Sequence, residues 1–409
     1  GGERPWALYL QGGPGSAGPR PARLSGWLGA LAESHRVLLL DQRGTGRSTP
    51  ATVATLTAPG AFATDEARAE HLVHLRAPSI VRDAEMLRLA LGAGPWTTLG
   101  QSFGGFCTLS YLSFHPEGLQ RSLVTGGLAP LTGHADRVYR ATYARMRART
   151  EEFFDRHPAD RDAWSEAVGL IRAAEAAGAP IPLPGGGPLT VGRAQGLGML
   201  LGGNTRVDRL HWVLAEAVDR TGPAPRLSET FLAAVADQDD RLVNPLYTVL
   251  HEAIYAQPAD LAGGRADTGW SASRMLAEHP DFDPEATTVP LPTGEHVMPW
   301  SVEVDPRLRP LAGTARLLAE RTQWGPLYDV AALAQNTVPV AAAVYADDVY
   351  VDRDLSLETA RRVRGLQVWE TDAFHHDGIA DDGPAILERL LAMTAPDGAG
   401  TTTAPDPVD

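Results

Sequence analysis

Gly100-Gln101-Ser102-Phe103-Gly104-Gly105 stands between a short apolar run, Thr97 to Leu99, and a helical pattern, Phe106 to Phe114. No other segment constrains the chain as strongly. A G-x-S-x-G sequence that leaves a strand and opens a helix forces its serine onto a sharp turn. Side chains two positions before and after that serine would collide with the adjoining strand and helix, and glycine stands at both. Ser102 Oγ is then exposed at the carboxyl edge of a sheet and the positive end of a helix, the setting of a nucleophile. A glycine-rich turn that merely ends a strand needs no helix behind it.

The first 128 residues alternate strand and helix in the same way. Trp6 to Leu10, Val37 to Leu40, Thr97 to Leu99 and Ser122 to Thr125 read as buried strands, with helices over Leu24 to Leu31 and Ile80 to Leu91 between them. From about Pro130 to about Trp324 the chain changes to long amphipathic stretches rich in Ala, Arg and Glu. Pro180 to Pro188 is a turn-rich linker within them, and no strand alternation is expected there. Strand character returns at Val338 to Tyr345 and Leu366 to Trp369, with helices at Leu355 to Arg364 and Pro384 to Met393. The expectation is one α/β unit made of residues 1–129 and 325–395, interrupted by a helical cap over 130–324. The Pro, Thr, Gly and Asp tail, 396–409, is expected to be disordered.

Composition narrows the chemistry. The 409 residues carry 50 acidic and 36 basic side chains, a net charge of −14, which argues against nucleic acid or an anionic membrane as the main partner. Every one of those basic residues is Arg, so a Schiff-base lysine, a pyridoxal-phosphate anchor and a G-x-x-x-x-G-K-[ST] loop are excluded. The single cysteine, Cys107, permits no internal disulfide, and a cytoplasmic location is expected. No apolar run approaches the roughly 18 residues of a membrane span. His71 and His74, with Glu70 close by, do not complete a set of spaced ligands, and no metal is expected.

A serine hydroxyl needs a base, and in this arrangement the acid and the histidine follow the serine in the chain. Asp347 and Asp348 directly follow the strand ending at Tyr345, with Asp348 favoured as the acid. His375 and His376 lie in the loop after Trp369, with His376 favoured because the Asp377-Gly378 turn places it nearest the apex. An oxyanion hole requires backbone N–H groups aimed at the developing charge. Phe103 supplies one, and Gly12 or Gly13 of the loop Gln11-Gly12-Gly13-Pro14-Gly15 supplies another.

Three segments together, Gln11-Gly-Gly-Pro-Gly15, Asp41-Gln-Arg-Gly-Thr-Gly-Arg-Ser48 and Gly100-Gln-Ser-Phe-Gly-Gly105, resemble the proline iminopeptidases, serine peptidases of the α/β-hydrolase fold. The resemblance runs from about Trp6 to about Met393. It implies an α/β-hydrolase sheet domain with a large inserted helical cap, and removal of an N-terminal residue, preferentially proline, without metal or cofactor. It also implies a peptide partner with a free N-terminus, held by cap glutamates. Leu250-His-Glu-Ala-Ile-Tyr255 resembles the glutamate-bearing helix and points to Glu252; Thr293-Gly-Glu-His-Val-Met-Pro-Trp300 offers Glu295 as a second carboxylate and Trp300 as a wall of the proline pocket. Asp41 and Arg43 read as an ion pair that fixes the loop beneath the site.

Overall fold

The apolar runs become strands: β1 (Trp6–Leu10), β2 (Arg36–Leu39), β3 (Trp96–Gln101), β4 (Leu119–Thr125), β5 (Val218–Asp219), β6 (Arg226–Leu227), β7 (Val340–Tyr345) and β8 (Leu366–Thr371). These come from a computed structural model that describes residues 4–242 and 244–395. The tail expected to be disordered, 396–409, lies outside the described residues. Six strands form one sheet in the order β2-β1-β3-β4-β7-β8, every neighbouring pair parallel. A parallel sheet needs cover on both faces, and β1 shows how the pleat provides for it. Leu8 and Leu10 pack with Ile80, Phe106 and Leu109 on one face. Ala7 and Tyr9 pack with Leu31, Ile386 and Leu390 on the other. The fold class is the α/β hydrolase class expected from the sequence.

Helices Gly26–Ser34, Ala77–Ala90, Phe103–Phe114, Arg353–Arg362 and Gly378–Met393 connect and cover these strands. The last is two helical pieces divided at Asp382, whose φ of −141° and ψ of 63° are not helical. Its Oδ1 accepts the Ala385 N–H at 3.2 Å, so Pro384 stands in the first turn of the second piece, where the sequence places a helix start, and a short helical turn from Gly378 precedes it. Between β4 and β7 the described chain adds no strand to the large sheet. It holds the long helices Ala135–Arg156 and Pro158–Ala176, then Arg206–Ala215, Glu229–Leu242 and Pro245–Leu250. Strand pairing does recur there, against expectation: β5 and β6 form a two-residue antiparallel ribbon, and Pro182 bridges Pro188 within the turn-rich linker. Runs this short leave no periodic signal to read.

The helical segment shares its core with the sheet. Phe153, Trp164 and Leu197 belong to the same buried cluster as Leu8, Trp96 and Phe106. A second cluster joins Leu56 and Leu72 of the early chain to Leu250, Leu318 and Trp324. The ion pair expected between Asp41 and Arg43 does not form. Asp41 instead binds Arg20 at 2.5 Å and accepts the N–H groups of Gly18 and Arg47, whereas Arg43 makes a two-pronged contact with Asp83. Each side chain is satisfied by a partner far away in the chain, Asp41 by Arg20 and Arg43 by Asp83. Among the described residues, no helix is long and apolar enough to cross a membrane.

Candidate active site

In a sheet of this order, adjoining loops at the carboxyl ends of the strands build the crevice. Here those loops carry Gln11 to Gly15 after β1, Ser102 after β3, Asp348 after β7 and His376 after β8. Ser102 has φ +54° and ψ −125°, a backbone conformation that a residue with a Cβ adopts only when its surroundings compel it. Two hydrogen bonds hold it there, Ser102 N–H to the Thr125 carbonyl at 3.0 Å and Gly105 N–H to the Ser102 carbonyl at 2.7 Å. The helix it opens is pressed against the sheet so closely that a Cβ at Gly104 would lie 1.9 Å from the Leu10 carbonyl oxygen. That contact is the collision the sequence pattern anticipates.

Asp348 is buried, 1% exposed, and its carboxylate is fully engaged. Oδ1 accepts the backbone N–H groups of Tyr350 at 2.8 Å and Val351 at 3.0 Å, while Oδ2 stands 2.8 Å from His376 Nδ1. An ionised carboxylate only accepts, so Nδ1 carries the proton and Nε2 of the neutral ring is left as a base. The Tyr350 ring meets His376 edge-on at 4.9 Å between centroids and limits its rotation. Burial pushes the imidazole down, but the charge and hydrogen bond of Asp348 outweigh it and raise His376 to about 9. The alternatives beside them are placed differently. Asp347 is exposed, and His375 turns its Nδ1 toward the Asp347 carbonyl at 3.4 Å.

A cleft of about 360 Å³ contains Gly12, Gly13, Ser102, Glu295 and His376 in its lining. Gly12 abuts the serine, since a Cβ there would approach Ser102 Cβ to 3.1 Å. Phe103 is the first residue of the helix, where backbone N–H groups have no partner within the helix. Glu295 Oε1 accepts the Tyr247 hydroxyl at 3.0 Å, and among the described residues Glu295 forms no ion pair. Two of its imidazole neighbours are pushed away from the cationic form, whereas His376 in the same cleft is held toward it in part by Glu295. Burial lowers His251, and burial together with His251 and His279 lowers His296 to about 3.

Glu252 does not line this cleft. It is 7% exposed beside Thr248, Thr268 and Trp270, accepts the Ala272 N–H at 2.9 Å, and has its carboxyl pushed up by burial. Trp300 lines a second, narrower cavity that shares Met199, Tyr247 and Glu295 with the cleft. Sequence reasoning missed Tyr247, Tyr350 and Arg206, all in the cleft lining. Tyr350 stands two residues beyond Asp348 and was within reach of a local argument; Tyr247 and Arg206 sit on helices with no pattern to distinguish them.

Comparison with known proteins gives the family. Residues 5–249 match the alpha/beta hydrolase fold family. A proline iminopeptidase of Aeromonas sobria is 41% identical over 392 residues, covering 96% of this chain and 88% of that protein. One from Aspergillus aculeatus is 32% identical over 402 residues, covering 96% and 85% respectively. A third, from Xylella fastidiosa, is 32% identical over 111 residues, 27% of this chain and 28% of that protein. The first two matches run through the sheet strands and the helical segment between them alike. The chain therefore belongs to the proline iminopeptidases, hydrolases of the α/β-hydrolase fold.

Proposed function

We propose that the chain is a serine aminopeptidase that releases an N-terminal residue, preferentially proline, from peptides, with Ser102, His376 and Asp348 as its catalytic triad. The observation that carries this reading is Glu295, a carboxylate without a cationic partner among the described residues, lining the same cleft as Ser102 and His376. An ammonium brought into such a cleft neutralises a charge that would otherwise go uncompensated. Glu252, buried outside the cleft, acts on the ammonium only through its field. Residues 130–324 serve as the cap that brings these groups over the sheet, and Trp300 walls the space beside Glu295.

The reaction then follows. His376 Nε2 takes the Ser102 proton as Oγ attacks the first carbonyl carbon of the peptide, and the N–H groups of Phe103 and of Gly12 or Gly13 hold the oxyanion. The C–N bond breaks as His376 gives its proton to the leaving amine. Water, activated by the same imidazole, hydrolyses the acyl-enzyme and frees the amino acid. An internal peptide bond offers Glu295 no positive charge, so exopeptidase selectivity arises from the cost of leaving that carboxylate unmatched.

The test is hydrolysis of proline, alanine and N-acetylproline anilides by the intact protein and by Ser102→Ala. The expected result is cleavage of free proline anilide ahead of alanine anilide, none of the acetylated substrate, and loss of all turnover in the variant. Turnover of simple esters with no anilide cleaved would replace the aminopeptidase with an esterase.

A further inference from the structure

His157, Asp160 and His211 bring three ligand atoms within 4.8 Å of one another, and none of these residues lines the cleft that holds Ser102. Their meeting is a product of the helix order. His157 is the single residue between the helices Ala135–Arg156 and Pro158–Ala176, where Pro158 opens a new helix and turns the chain. Asp160 lies in the first turn of that second helix and is 2% exposed. His211 projects from the helix Arg206–Ala215, its Nδ1 2.8 Å from Asp160 Oδ2, and its ring stacks on His157 at 4.3 Å between centroids and 22° between planes.

Two imidazoles and one carboxylate form a donor set suited to zinc and neighbouring first-row divalent ions. The carboxylate is held inside while both rings are only half-buried, so an ion can enter from solvent and keep water in a fourth position. Ligand bonds of about 2.0–2.2 Å in a tetrahedral site bring donor atoms to about 3.4 Å apart.

We propose that His157, Asp160 and His211 bind a divalent first-row transition ion, zinc in the first instance, that ties the helix Arg206–Ala215 to the junction of the two long helices. The tie reaches the cleft without entering it. Arg206, at the start of the tethered helix, pairs with Asp377 at 2.5 Å, and Asn204 just before it contacts His375 N–H and the Ala373 carbonyl. Holding His211 therefore steadies the turn that holds the His376 loop. The ion's part is structural, since no substrate-facing residue coordinates it.

The experiment is equilibrium dialysis of the full chain against zinc chloride, with thermal melting at each zinc concentration. Wild-type protein is expected to bind one zinc per chain with micromolar or tighter affinity and to melt higher when loaded. His157→Gln and His211→Gln should each weaken binding at least tenfold and remove the melting shift. His376→Gln should retain both. His157→Gln is expected to keep wild-type hydrolytic activity without zinc; His157→Asn and His211→Asn replace any Gln variant that melts lower than wild type in the absence of metal. The proposal is overturned if wild type binds no zinc, if either position can be changed without weakening it, or if zinc is lost in His376→Gln.

Discussion

Arg206 and Asp377 form a 2.5 Å ion pair that joins the helical segment to the residue following His376. The two side chains are 21% and 29% exposed, which places the pair among the partly solvated ones, worth under about 1 kcal/mol in most proteins. Arg206→Met should accordingly cost less than about fivefold in kcat/KM for proline anilide. Because the pair restrains the loop and does not touch the reacting atoms, the loss should fall as salt rises and the wild-type pair is screened. Rates measured from low to 1 M salt check this, and a hundredfold loss would move Arg206 into direct contact with substrate.

The acid limb of the pH profile should report His376. A base must be neutral to accept the Ser102 proton, and the imidazole is raised from 6.5 to about 9 by Asp348. The rate should therefore climb through mildly alkaline pH. Asp348→Asn should lower kcat by about 10⁴ and move the remaining limb toward acid. For stability the sign is opposite: a group whose native pKa is raised contributes fully below pH 6.5 and loses that contribution as pH rises through about 9. Melting temperatures across pH 6–10 for wild type and Asp348→Asn should converge at the alkaline end.

Glu295→Gln and Glu252→Gln should separate contact from field. A charge-assisted contact to an ammonium is worth about 1.5–3 kcal/mol, so Glu295→Gln should reduce kcat/KM for free proline anilide by about 10- to 150-fold and spare an uncharged ester. Glu252 is more remote from the cleft, and its substitution should cost less. Burial raises the Glu252 carboxyl, so native-state stability involving it falls as pH rises, and Glu252→Gln should leave the protein at least as stable at pH 7. Paired kinetics and thermal melts decide both.

Gly104→Ala tests the turn itself. The added methyl would meet the Leu10 carbonyl at 1.9 Å, and neither the strand nor the helix can yield without moving Ser102. Overpacking of this kind costs about 1–3 kcal/mol, and activity should fall well beyond what the lost stability explains. Urea unfolding and kcat on the same preparation compare the two.

Strand positions in the sheet were legible because short apolar runs between glycine-rich turns have few alternative uses; β1 begins and ends at the residues read from the sequence. The same reasoning located Ser102, whose requirements are local: a strand, two glycines and a helix. The sequence favoured Asp348 over Asp347 and His376 over His375, but adjacent residues on a turn face different ways, so the choice within each pair stayed a preference.

That choice belongs to the register of β7 against β8. Val340 pairs with Leu366 and Tyr345 with Thr371, which brings two loops 28 residues apart in the chain to the same edge and sets Asp348 Oδ2 against His376 Nδ1. The helical segment was less legible for a related reason. Amphipathic periodicity says that a helix has a buried face but not which neighbour covers it. Tertiary packing decided that Glu295 lines the cleft and Glu252 does not, that Arg43 binds Asp83, and that His211 stacks on His157. Sequence by itself determined the α/β architecture and the sharp turn that carries Ser102, both set by local backbone requirements and strand patterning. Tertiary structure decided the partners, because long-range pairing depends on how whole elements pack.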